Sequence, residues 1–287
     1  MLLVTGVNGG LGRLVLEQLT ERAGGSDRLV VGTRTPEQAP AGLPVRRVDF
    51  DDPATLGAAF EGVRTLLLIS AGYGEDDVVI TRHRAAIEEA ERAGVEHVIY
   101  TSLSGDGDHL AYALAHRWTE RRLRESPTLR WTILRNGLYA ELLRDLAAPD
   151  EHGVITAPLG DGRLAAVARA DLAEVAATVA LAPAEHAGRV YELVGEQAVG
   201  GAEVAEALSR SGGRTVAYRP GTLAEARAAV AASGAQAFQV PMVTGTYSAI
   251  ANGFLAGAVP EGDLRALLGR PARPALEVIA AGADAGR

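Results

Sequence analysis

Apolar residues recur along this chain in two rhythms. Short, nearly continuous apolar runs alternate with longer stretches in which apolar positions return every three or four residues. The short runs predict strands at 2–5 (LLVT), 29–33 (LVVGT), 45–50 (VRRVDF), 65–70 (TLLLIS), 97–102 (HVIYTS) and 130–135 (RWTILR). Between the first two, Leu11, Leu14, Val15 and Leu19 share one helical face with charges opposite, predicting a helix over 11–23. The stretch 76–94 opens on acidic residues and stops at a glycine, a start and stop expected of a helix. Residues 110–123 (LAYALAHRWTERRL) read as an amphipathic helix that carries Tyr112 and, four residues later, His116.

Strands alternating with helices imply βαβ units and a parallel sheet. Near-continuous apolar strands imply helices on both faces. A barrel is the α/β alternative, but six irregularly spaced strands in the first 135 residues favour a Rossmann-type, doubly wound parallel sheet. After Asn136 the pattern loosens into short strands at 152–156, 188–195 and 214–220 and a helix over 169–182. TLAEARAAVAASG (222–234) reads as a packed amphipathic helix within an Ala- and Gly-rich stretch that runs to 259. The expected organisation is a dinucleotide-binding domain over 1–150 and a smaller C-terminal α/β substrate lobe over 151–287. Part of that lobe returns to the main sheet, and the tail from 280 frays.

Composition narrows the chemistry. A formal net charge of −8 makes nucleic acid and anionic membrane poor partners. The chain has no cysteine, which excludes disulfides, thiolate catalysis and cysteine-ligated metal. The six histidines show no HExxH-type spacing, so no metal is expected, and no GxSxG elbow appears. HRWTE (116–120) and DGDH (106–109) read as surface polar groups. No apolar run approaches the ~20 residues needed to cross a bilayer, and no signal-peptide pattern precedes the first strand; a cytoplasmic protein is expected. All 28 basic residues are arginine, so no lysine serves as base or ribose anchor.

The candidate chemistry begins at VTGVNGGLG. Gly6, Gly9 and Gly12 directly follow the first strand and open an amphipathic helix. One glycine permits the tight turn, another lets backbone approach a pyrophosphate, and the third lets helix and strand pack closely. Asn8 and Gly10 offer further donors inside the loop, and Leu11 opens the helix behind it. The second strand ends on Arg34, where an NAD site carries a carboxylate; arginine suits a 2′-phosphate, favouring NADP. After the third strand, Asp49 and Phe50 stand where an adenine is expected, while Asp51 or Asp52 is placed to cap a helix with Pro53 in its first turn. Ser70, Ala71 and Gly72 form a small-residue loop for a ribose, with Tyr73 facing the substrate.

Together with VDFDD, LLLIS, YTSL, LRNGLYAE, GDGRLAAVARADLAEVAA and GRVYELVG, these motifs resemble an atypical short-chain dehydrogenase/reductase of the NmrA-like group. Within it the chain is most similar to the NADPH-dependent type-2 quinone oxidoreductases. The resemblance implies NADPH in the glycine loop and a small aromatic or quinone-like substrate in a cleft between lobes, and it allows a homodimer. It places Thr101 and Ser102 beside the nicotinamide. His116 then stands in the slot that ordinary short-chain reductases fill with lysine, and Asn136, Gly137 and Tyr139 line nicotinamide and substrate. Leu138 stands where the quinone-reductase pattern has Trp, and YAEL replaces YSEN, so the substrate pocket differs while the cofactor loop does not.

Ketone reduction needs a tuned acid, which short-chain reductases make by pairing tyrosine with lysine. Tyr112 is the candidate catalytic residue here, yet without lysine it is a poor acid, and packing is its alternative role. His116 substitutes in part, contacts the ribose, or is satisfied within its helix. A quinone asks for less, because the hydroquinone monoanion spreads its charge and takes a proton from solvent. The leading expectation is an NADPH-dependent quinone reductase. A non-catalytic dinucleotide sensor and a tailoring reductase of a specific secondary metabolite are the alternatives.

Overall fold

A computed structural model describes residues 1–22 and 28–284. The chain runs β1 (Leu2–Val4), α1 (Gly10–Arg22), β2 (Leu29–Thr33), β3 (Val45–Arg47), α2 (Leu56–Phe60), β4 (Thr65–Leu68), α3 (Asp76–Arg92), β5 (His97–Leu103), α4 (Ala113–Arg124) and β6 (Arg130–Asn136). It continues through α5 (Ala140–Leu146), β7 (Val154–Ile155), β8 (Arg163–Leu164), α6 (Arg169–Leu181), β9 (Arg189–Leu193), β10 (Val199–Gly200) and α7 (Gly201–Gly212). Then come β11 (Ala217–Tyr218), α8 (Leu223–Ala232), α9 (Gln239–Ala251), α10 (Asp263–Leu268) and α11 (Ala275–Asp284).

Seven strands form one sheet in the order β3-β2-β1-β4-β5-β6-β9. β1 pairs in parallel with both β2 and β4, so Leu3 lies opposite Val30 on one side and Leu66 on the other. Chain order reverses at β1, between β2 and β4. In an open α/β sheet this switch point opens a crevice at the carboxyl ends of the strands. The glycine turn leaves β1 at that place. Every residue of β2 and β5 is buried, as apolar runs covered on both faces require.

The described chain gathers into two compact units, each built from three segments. The first comprises Met1–Ser102, Leu114–Arg135 and Leu172–Tyr191; the second comprises Leu103–Ala113, Asn136–Asp171 and Glu192 onward. Within the first, Leu3, Val30, Leu66 and Val98 pack with Phe60 and Ile87. Within the second, Leu143, Leu159, Val204, Leu208, Ile250 and Ile279 form the core. There the fully buried Asp171 accepts 2.8 Å from Arg270 and 2.7 Å from the Arg273 amide, pinning the stretch before α11.

Several expectations change. β3 stops at Arg47 because residues 49–52 turn back on themselves, with the Asp49 carboxylate accepting from the Asp51 amide at 3.1 Å. α4 begins at Ala113, so Tyr112 lies in the turn before it and does not share a helix with His116. HRWTE is not a surface group: Thr119 and Glu120 are fully buried. α8 forms and is capped by Thr222 and Glu225, but it buries no residue. Its alanines are too small for a deep apolar stripe, and only Ala226 and Val230 are half-covered. Residues 280–284 of the tail continue α11, while 285–287 lie outside the described residues.

Candidate functional site

The β1–α1 turn is built around glycine. Gly6 takes a left-handed conformation, φ 68°, and its carbonyl accepts the Gly9 amide at 3.0 Å. A Cβ on Gly12 would sit 2.1 Å from the Gly6 carbonyl oxygen and 2.9 Å from Val7 Cα, both backbone atoms that have nowhere to go. A Cβ on Gly9 would meet only the Gly6 oxygen, at 3.3 Å, so the outer side of the turn is open. Gly6, Asn8, Gly9 and Gly10 are exposed while Leu11 is buried beneath them. The first amides of α1 lack intrahelical acceptors, and the first turn carries no acidic residue. This is a cradle that fits a pyrophosphate.

The second-strand signals converge beside it. Asn8 donates to Thr33 Oγ1 at 3.0 Å and Thr35 Oγ1 at 2.9 Å, tying the glycine turn to the end of β2, where Arg34 is exposed. Asp49 is half-buried, and Phe50 packs against the first unit's core. Asp52 makes no capping bond to the following turn, and Asp51 is engaged by Arg82 instead, so neither fills the expected cap. That pairing holds the Asp51 carboxyl below its ordinary range.

The loop after β4 rests on a buried polar network. Thr101 Oγ1 accepts the Ser70 amide at 2.9 Å. His83 Nε2 accepts the Ala71 amide at 3.0 Å, so its proton is on Nδ1, which donates to Thr119 Oγ1 at 2.8 Å. Burial lowers the His83 pKa to about 3, with the nearby His116 and Arg82 acting in the same direction. The Tyr100 hydroxyl and His116 Nδ1 share a 2.7 Å hydrogen bond. Burial, reinforced by Arg117, lowers His116 to about 4, so its imidazole is neutral at physiological pH. A Cβ on Gly72 would lie 3.1 Å from Ser70 Oγ and 4.0 Å from His116 Nε2, so this glycine keeps the space between them open. Tyr73 is exposed at the rim.

Ser102 is not a free hydroxyl. It donates to Glu120 Oε1 at 2.7 Å. The buried Glu120 carboxylate is satisfied further by Arg117 at 2.9 Å, Arg135 at 2.7 Å and Arg124 at 3.1 Å. Burial alone would raise the Glu120 pKa, but Arg135 and Ser102 outweigh it and the net shift is downward.

In the second unit, Asn136 is buried and its carbonyl accepts the Ser104 amide at 2.9 Å. Gly137 donates to the Leu193 carbonyl at 2.9 Å, and a Cβ there would stand 3.1 Å from that oxygen. Arg169 lies over the Tyr139 ring, 4.8 Å from its centroid. Tyr112 packs against the core of this unit; burial pushes its phenol up to about 12, with the Thr246 hydroxyl opposing.

Tyr100, Glu120, His83 and Arg82 escaped the sequence reading. The signal was present in part: Tyr100 and Ser102 share one face of β5 by the two-residue period, and Glu120 follows His116 by one helical turn. Nothing local reveals that a carboxylate on α4 is buried among arginines.

A family profile described as NAD(P)H-binding matches residues 6–183. Quinone oxidoreductase 2 of Escherichia coli K12 is 39% identical over 225 residues, covering 76% of this chain and 77% of that protein. The structure of the NADPH-dependent quinone oxidoreductase from E. coli complexed with NADPH superposes with a TM-score of 0.88 at 34% identity, covering 98% and 99% of the two chains. Triphenylmethane reductase of Citrobacter sp. complexed with NADP(H) gives 0.87 at 30% identity over 97% and 98%.

Proposed function

This chain belongs to the NAD(P)H-binding family, and from that premise we propose that it is an NADPH-dependent oxidoreductase passing hydride to a quinone or similar conjugated acceptor. What carries the reading is one combination: an intact glycine cradle for a dinucleotide, and a neutral histidine where a ketone reductase needs a lysine.

When bound, the cofactor supplies a hydride from its reduced nicotinamide. The chain's task is to hold and orient. The α1 amides with the loop backbone of Asn8, Gly9, Gly10 and Leu11 would take the pyrophosphate, while Arg34 would take the 2′-phosphate. Asp49 and Phe50 would meet the adenine, and Ser70, Ala71, Gly72 and His116 the ribose. Thr101 and Ser102 would shape the nicotinamide site through backbone, since both hydroxyls are already engaged. In the second unit, Asn136, Gly137 and Tyr139 would face nicotinamide and acceptor; within the first unit, Tyr73 is the residue the reading gives to the acceptor.

Neither His116, neutral above about pH 4, nor the Tyr112 phenol, pushed up to about 12, readily gives a proton at neutral pH. A ketone would stall there, because its alkoxide is strongly basic. A quinone would not, since its reduced anion is delocalised and protonated by solvent. Positioning the acceptor within ~3–3.5 Å of the nicotinamide is then the main demand.

The same proposal takes 151–287 as contributing the substrate-capping lobe and a homodimer as the assembly. It places the protein in the cytoplasm without a nucleic-acid partner, which the net charge of −8 supports. The test is NADPH oxidation, with NADH in parallel, against a benzoquinone and a naphthoquinone. NADPH-preferring turnover is expected. Tight NADP binding with no turnover across a broad quinone panel would overturn the enzyme reading in favour of a dinucleotide sensor.

A further inference from the structure

One side chain ties together the loop expected to meet the adenine and the loop expected to meet a ribose of the cofactor. Arg82, on α3, grips Asp51 in the loop after β3 with two bonds: Nε to Oδ1 at 2.6 Å and Nη2 to Oδ2 at 2.8 Å. Its remaining Nη1 reaches the loop after β4, donating to the Tyr73 carbonyl at 2.9 Å and the Ala71 carbonyl at 3.4 Å. β3 and β4 are three steps apart in the sheet order β3-β2-β1-β4, roughly 14 Å at ~4.8 Å per step. The glycine turn and Arg34 leave the two strands in between. The two loops converge on the one guanidinium, and a planar fork with fixed donors suits holding both, where a lysine would offer one point charge.

Charge adds a second role. Arg82 is the main cause that holds the Asp51 carboxyl below its ordinary range, against burial, and the Arg34 charge adds the smallest share. An uncompensated carboxylate there would compete for Arg34 and repel the 2′-phosphate that Arg34 is expected to bind. Arg82 answers that carboxylate with a bidentate pair from a side chain that is itself only 19% exposed, while the Asp51 side chain, 49% exposed, keeps its other side toward solvent.

We propose that Arg82 is a positioning and specificity residue for the dinucleotide: it fixes the adenine loop to the ribose loop and neutralises Asp51, leaving Arg34 free for a 2′-phosphate. This rests on the NADPH reading above. It goes beyond that reading by assigning cofactor preference to a residue that need not touch the cofactor.

The test is calorimetric binding of NADP⁺ and NAD⁺ to the full chain, which needs no acceptor, followed by NADPH kinetics. Arg82→Gln should weaken NADP⁺ about tenfold or more and NAD⁺ clearly less. It should raise KM for NADPH while leaving kcat at saturating NADPH within about twofold. Asp51→Asn added to Arg82→Gln should recover the NADP⁺ over NAD⁺ preference without recovering full affinity, because the loops stay untied. Arg82→Lys should keep the preference and lose part of the affinity; with Asp51→Asn alone, expected to preserve the preference, it carries the test should Arg82→Gln unfold. Equal losses for both dinucleotides, or none, would overturn the inference while leaving the NADPH reading intact. A wild-type chain that binds neither dinucleotide would overturn both.

Discussion

The hydroxyl of Tyr100 lies 2.7 Å from Nδ1 of His116, one strand residue fastened to one helix residue across the wall of the candidate ribose site. The contact engages Nδ1 and leaves Nε2 as the ring nitrogen nearest the open space at Gly72. Nitrogen NMR of the imidazole at pH 7 should therefore show a neutral His116 held in one tautomer. Tyr100→Phe should shift it toward a tautomer mixture. A charged ring at pH 7 would contradict the arrangement.

Buried neutral histidines set a pH dependence of stability. His83 and His97 are nearly inaccessible, with pKa values lowered from 6.5 to about 3 and about 4, chiefly by burial. The unfolded chain takes up protons near 6.5 while the folded chain does not, so stability is retained above that pH and falls as pH drops toward 4. At pH 5 each should have cost about 2 kcal/mol. Urea unfolding at pH 7 and pH 5 checks this, the expected sign being a lower midpoint at pH 5.

The glycines of the first turn should not respond alike. Gly12→Ala places a Cβ 2.1 Å from backbone and should cost about 3 kcal/mol or more, or prevent folding. Gly9→Ala faces only a 3.3 Å contact, so it should fold near wild-type stability and lose NADPH affinity instead. Thermal melts alongside NADPH titration separate the two effects.

Arg34→Ala should leave kcat with saturating NADPH unchanged and raise KM for NADPH about 10- to 100-fold. That is the scale of one charge-assisted contact worth about 1.5–3 kcal/mol. KM for NADH should hardly move. Steady-state kinetics with each cofactor give the comparison directly.

The parts legible in the sequence are those with a repeating or local signature. Alternating strands and helices specified the parallel sheet, and the spacing of Gly6, Gly9 and Gly12 after a strand specified the cradle. What escaped depends on contacts distant in sequence. Glu120 looks like a solvent residue until Ser102 and Arg135, 18 and 15 positions away, are folded against it. Arg82 looks like one charge on a helix face until Asp51, 31 residues earlier, closes on it. The period of its neighbours predicts Tyr112 on a helix, yet the Leu110 carbonyl accepts the Ala113 amide and Tyr112 lies in the turn before α4.

The central claim is that hydride passes to an easily protonated acceptor without a protein acid. The most direct measurement is the rate of NADPH oxidation by a naphthoquinone at pH 7, wild type against Tyr112→Phe. Rates within about twofold of each other are the predicted result. A loss of about 100-fold or more, the scale of a removed general acid, would contradict it.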